Sequence, residues 1–312
     1  MNNKVTVTGV NKVFLFVTII NIVFSIVIEG VSVYHDNFLD DDMLLLLLMI
    51  QFYCILFPTL FYMIGKGINI KETLRFNSPG LLPSFLIILI SMPAFYAASS
   101  LNSIIAYILQ FVGKASEDAS IPIPQNAGEV FVSILVIAVA PAICEEILHR
   151  GLLLKAYESR GTMKAIVISS IMFGFFHFDI TNLLGPILLG LLFGYYTVRT
   201  NSIFAGAIAH FMNNFLAILL QYSIRNVESE SSFYSSQDLF YALTFGTVCL
   251  FFVILLLLCF NSVTKGKYNM RKACTTVRND VVSIISHWPV IIVTVLYILF
   301  TLLYMLNLYL GE

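Results

Sequence analysis

Two adjacent carboxylates and a guanidinium, Glu145, Glu146 and Arg150, stand in a stretch that otherwise reads as a membrane-spanning helix. Each ionisable group at the centre of such a helix costs about 2.5 to 3.5 kcal/mol on insertion scales, so the three together oppose insertion by on the order of 8 to 10 kcal/mol. A cost of that size marks a working site. Glu146 and Arg150 are at i and i+4 with the carboxylate first, the favoured order for pairing on one face. Glu145 points roughly 100° away from them. One carboxylate therefore neutralises the arginine, and the other is free to act as a base. His177, His210 and Asn214 are the further polar candidates, the last two four residues apart and so on one helical face. A carboxylate beside an imidazole is suited to general-base activation of water.

The elements that must position these groups follow from composition. Of 312 residues, 59% are apolar and 11% charged, far from the roughly 25% charged of soluble domains. The fold class is all-α, a polytopic membrane helix bundle. Apolar runs at about 13–28, 43–64, 80–112, 128–157, 162–178, 183–198, 203–222, 239–260 and 288–310 give nine expected spans, each near the roughly 20 residues needed to cross hydrocarbon. Alternating the loops between two sides places 15 of the 17 Lys and Arg on one side, leaving only Lys114 and Arg225 on the other. By the positive-inside rule the amino terminus is cytoplasmic and the carboxyl terminus outside. Acidic residues follow the opposite pattern, with Asp36, Asp40, Asp41, Asp42, Glu117, Asp118, Asp179, Glu228, Glu230 and Asp238 on outer loops. The Ser-rich 223–236 segment reads as an outer loop, and the basic loop 264–278 as one lying against anionic headgroups.

Three units follow: 1–127 with the first three spans, 128–222 with the fourth to seventh, and 223–312 with the outer loop, the last two spans and the basic loop. Cys54, Cys144, Cys249 and Cys259 fall in spans and Cys274 in the basic loop, so no disulfide framework is expected. Gly190 and Gly194 form a small-xxx-small pattern that lets a neighbouring helix approach closely. If the fourth and fifth spans reverse near Gly161, Glu145 and His177 lie at one depth, roughly 24 Å from the turn. A reversal at Thr200-Asn201 brings His210 and Asn214 toward the same level. His35, His149, His287, Asn182 and Asn213 read as structural.

Glu145-Glu146-Ile147-Leu148-His149-Arg150, Phe173-Gly174-Phe175-Phe176-His177 and His210-Phe211-Met212-Asn213-Asn214 resemble, in order, the three motifs of the CAAX protease and bacteriocin-processing (CPBP, Abi) family of intramembrane proteases. The resemblance covers about 128–220. It implies that Glu145 and His177 activate a water molecule, that His210 and Asn214 stabilise the oxyanion, and that Glu146 and Arg150 support them. A zinc ion on Glu145, His177 and His210 is the competing mechanism, metal-free hydrolysis being favoured.

The expected activity is an intramembrane endopeptidase in the cytoplasmic membrane of a bacterium. It would act on a hydrophobic or lipidated peptide or membrane-protein substrate, with membrane lipids as its surroundings and no nucleic-acid partner. The alternatives are a non-proteolytic binding partner on the same fold, such as a sensor-kinase regulator or an immunity protein, and a transporter with Glu145 as proton relay. No inverted repeat supports the transporter.

Overall fold

A chain this apolar satisfies its backbone hydrogen bonds in lipid by coiling every span into helix. The computed structural model describes residues 5–32, 38–113, 123–226, 234–266, 268 and 270–311, with no strand among them. Lys4, His35, Asp36, Lys114, Glu117, Asp118, Glu228, Glu230 and Lys267 of the charge pattern lie outside the described residues, as does most of the Ser-rich loop. Besides a single turn at Ile70–Thr73, the helices are α1 (Val7–Ser32), α2 (Met43–Gly65), α3 (Leu81–Leu109), α4 (Ala127–Arg160), α5 (Thr162–Phe176), α6 (Leu184–Thr200), α7 (Ile203–Ile224), α8 (Ser236–Val263), the short α9 (Val277–Ile285) and α10 (Trp288–Leu310). Side-chain caps start several of them: Asn126 accepts from the Glu129 amide ahead of α4, and Ser235 and Asp238 form a reciprocal capping box on α8.

Seven of these helices are long and apolar enough to cross a membrane, and the chain is an integral membrane protein. The expected count of nine is not supported at two places. The runs 162–178 and 183–198 form helices of 15 and 17 residues, because His177 caps α5 and Asn201 ends α6 in the left-handed region. Both fall short of the roughly 20 residues a span needs. They pack as inner helices, with Phe173, Gly190, Phe193 and Tyr196 buried. Phe61, Phe251, Leu258 and Leu302 are instead exposed on outer faces, the inside-out pattern that hydrocarbon accepts.

Two reversals position the polar groups. Gly161 turns α4 into α5 at φ +121°, a backbone setting that side chains disfavour. Asn201, at φ +50°, turns α6 into α7. Gly190 and Gly194 bring α6 onto α5 and α4: a Cβ at Gly190 would lie 3.0 Å from the Ser170 Cβ, and one at Gly194 would lie 3.2 Å from Ile166 Cγ2. α8 runs along α3, where Gly246 faces Ser100. Three π-helical turns interrupt the α geometry, at Ile50–Leu56 in α2 and at Ile134–Val139 and Ile147–Leu153 in α4.

The basic loop crosses the Gly161 turn. The Arg271 amide donates to Thr162 Oγ1 at 2.9 Å, and the Arg271 carbonyl accepts from the Thr162 amide at 3.2 Å. Arg75, one of the basic residues of the inner loops, is buried with its guanidinium 2.6 Å from the carboxylate of Glu158.

Candidate active site

Glu146 is the hub of the polar cluster. Its side chain is buried, with Oε1 2.8 Å from Arg150 Nη1 and 3.1 Å from His210 Nδ1. Arg150 has no exposed surface. It donates from Nη2 to the Gly190 carbonyl at 3.3 Å and lies over the rings of Phe173 and Phe193, 4.4 and 5.2 Å from their centroids. One carboxylate, one carbonyl dipole and two ring faces thus compensate a cation removed from water.

These contacts assign the ring nitrogens. A carboxylate facing the Arg150 cation only accepts, so His210 Nδ1 donates and Nε2 is left for an incoming group. The His210 ring stacks on Phe193 and stands edge-on to Phe173. His177 caps α5 with Nδ1 2.8 Å from the Phe173 carbonyl oxygen. A carbonyl also only accepts, and the neutral His177 ring therefore carries its lone pair on Nε2. Asn214 donates from Nδ2 to the Ile137 carbonyl at 2.8 Å and accepts from Asn213 at 3.1 Å, keeping one amide hydrogen.

His177, His210 and Asn214 line a single cavity of about 310 Å³ with Phe173, Asn182 and Asn213. Glu145 is not among its lining residues and makes no hydrogen bond to His177. One helical step of 100° from Glu146 turns it toward α2, where Gln51 Nε2 donates to its Oε1 at 2.9 Å. Glu145 Oε2 is buried without a donor, and the Glu145 carbonyl accepts from His149 Nδ1 at 2.9 Å.

Residues 127–216 match the family model described as Type II CAAX prenyl endopeptidase Rce1-like. The chain is also 30% identical over 167 residues to the Bacillus subtilis (strain 168) protein named "Putative membrane peptidase YdiL", an alignment covering 52% of this chain and 67% of that relative. The chain belongs to the Rce1-like family. No solved structure matches it.

Glu145, Glu146, Arg150, His177, His210 and Asn214 all fall inside the Rce1-like segment. Several residues of the site were passed over in the sequence. Phe173 holds the cluster together, its ring standing edge-on to His149, His177 and His210 and under Arg150 while its carbonyl holds His177. Its place at the head of the second motif was the available signal. Asn182 and Asn213, read as structural, line the cavity. So does Asn102, a polar residue in an apolar span, which donates to Asn182 Oδ1 at 2.7 Å. Gln51 carried no signal beyond being an amide in lipid. Cys144 is buried, as a small apolar residue would be, and His149 is enclosed by Phe14, Phe173 and Phe176.

Among the described residues no three His, Cys, Asp or Glu side chains are placed to hold a metal.

Proposed function

We propose that this protein is an intramembrane endopeptidase that hydrolyses a peptide bond in a hydrophobic or lipidated substrate. The observation that carries this reading is the cavity into which α5 and α7 bring His177, His210 and Asn214, backed by the buried Glu146–Arg150 pair. Water attacks the scissile carbonyl carbon as its O–H bond breaks, the proton passing to Glu145 while His177 faces the reacting centre from the cavity side. The negative oxygen of the tetrahedral intermediate accepts from the remaining Asn214 amide hydrogen and from His210 Nε2–H. His210 can donate there only when its ring carries both protons. One such donor is worth about 2.7 to 4 kcal/mol in acyl transfer. Collapse expels the amine, which takes the proton held by the base.

Residues 128–222 are the catalytic core in this reading. The short α5 and α6 complete nine membrane-inserted helices in a bacterial cytoplasmic membrane, with the amino terminus inside. The charge asymmetry along the chain supports that orientation.

The test is cleavage of a farnesylated peptide ending in a Cys-aliphatic-aliphatic-X sequence by the purified protein in lipid vesicles. Glu145→Gln and His177→Ala each lower the rate by at least about 100-fold, within the span of general acid–base contributions. Unchanged cleavage by both variants defeats the reading.

A further inference from the structure

Gln51 lies outside the Rce1-like segment, yet it is the residue that holds the Glu145 carboxylate. Both side chains are more than nine-tenths buried, with Gln51 9% and Glu145 7% exposed. Both stand at π turns, Gln51 within Ile50–Leu56 and Glu145 two residues ahead of Ile147–Leu153, a helical distortion that recurs at functional sites.

The chemistry of the pair fixes its orientation. An ionised carboxylate only accepts, so the Gln51 amide must turn its NH2 group toward Glu145 Oε1, and its carbonyl oxygen is left over. Two acceptors then remain on two hydrogen-bonded groups, Glu145 Oε2 and Gln51 Oε1. Each is buried with no protein donor. Buried acceptors are costly to leave unmet, and a water molecule carries two hydrogens.

We propose that Gln51 is a positioning residue for Glu145 and that the two together seat the reacting water, one of its hydrogens on Glu145 Oε2 and the other on Gln51 Oε1. This rests on the role given to Glu145 above. Gln51 selects which Glu145 oxygen is free, and it directs the water lone pair away from both acceptors. When the water attacks, the O–H bond facing Glu145 breaks and its proton moves to Oε2. The electron pair of the water oxygen forms the bond to the carbonyl carbon. A neutral amide cannot take the second proton, so of these two acceptors only Glu145 receives one. The residue comes from α2, which makes the amino-terminal helices part of the catalytic unit.

The experiment compares Gln51→Leu, Gln51→Glu and Gln51→His with wild type on the same farnesylated peptide, alongside thermal unfolding in detergent of Gln51→Leu, Glu145→Leu and the double variant. Losing the donor in Gln51→Leu and Gln51→Glu lowers kcat by at least about tenfold, the scale of a hydrogen bond to a charged group. KM stays within about twofold, and Gln51→His, which keeps a ring donor, recovers part of the rate. The unfolding midpoint of the double variant lies close to that of either single variant, as coupled partners require. An unchanged or increased kcat in Gln51→Leu, or strictly additive unfolding shifts, overturns the proposal. If Glu145→Gln is inactive while Gln51→Leu is not impaired, only the Gln51 role fails. If Glu145→Gln still cleaves, the role of Glu145 fails and this proposal falls with it.

Discussion

Burying the guanidinium of Arg150 without any exposed surface is tolerable only because Glu146 supplies a full negative charge at 2.8 Å. Removing one member of such a pair leaves an uncompensated charge and costs about 3 to 5 kcal/mol, whereas removing both is often nearly neutral. Arg150→Met is therefore expected to destabilise the protein by about that much, and Glu146→Gln with Arg150→Met to recover most of the loss. Unfolding of the three proteins in detergent checks this, and equal losses in single and double variants would contradict it. The pairing itself was readable from the four-residue spacing. That His210 shares the same carboxylate was not, because it depends on the rotation of α7, whose sequence carries no mark of which face meets α4. The same limit hid Gln51: the meeting of residues 51 and 145 is decided by packing of two helices distant in the chain.

At the level of the helix, Gly190 is the contact that lets α6 lie against α5. A Cβ there meets Ser170 atoms at 3.0 and 3.1 Å, one of them backbone, and the Gly190 carbonyl accepts from Arg150. Gly190→Leu must push the helices apart, costing about 1 to 3 kcal/mol as overpacking does. It also withdraws a carbonyl from Arg150, so loss of peptide cleavage is expected to accompany the lower stability. Gly194→Ala meets side-chain atoms only, Ile166 Cγ2 at 3.2 Å and Leu154 Cδ1 at 3.4 Å with no backbone among them, and stability within about 1 kcal/mol of wild type is expected. Equal effects at the two glycines in unfolding measurements would refute the difference drawn between them. The glycine pattern and the reversals at Gly161 and Asn201 were legible, since small residues and turn formers are local signals. The π turns were not, because the same apolar side chains suit α and π geometry. The expected run 162–178 exceeded α5 by two residues, and the expected run 183–198 matched α6 to within two residues at each end.

Across the whole molecule, a polar clamp centred on α9 helps to tie the carboxyl-terminal part to the core. Asp280 on α9 accepts from Arg160 Nη1 at 2.8 Å and from Thr275 Oγ1 at 2.7 Å, and it also accepts from Lys164 at the start of α5. Arg160 Nη2 reaches Ser283 at 2.7 Å, and Ala273 lies against Gly161. Burial alone would push the Asp280 carboxyl up; hydrogen bonds from Lys164, Arg160 and Thr275, with the Lys164 charge, outweigh it and hold the group down at about 2. A carboxyl depressed in the folded state stabilises above its ordinary value near 4, and that contribution disappears as pH falls toward 2. The clamp is therefore at full strength and insensitive to pH between about 5 and 8. Asp280→Asn keeps the size of the side chain, removes its charge and leaves Arg160 and Lys164 without their counter-ion. Limited proteolysis at the basic loop is the measurement, because Arg271 and Lys272 are exposed tryptic sites held across the Gly161 turn. Cleavage there is expected to be several-fold faster in Asp280→Asn than in wild type at pH 7, with wild-type susceptibility flat down to about pH 5. Equal rates in the two proteins would mean that the backbone bonds between Thr162 and Arg271 hold the loop without the clamp.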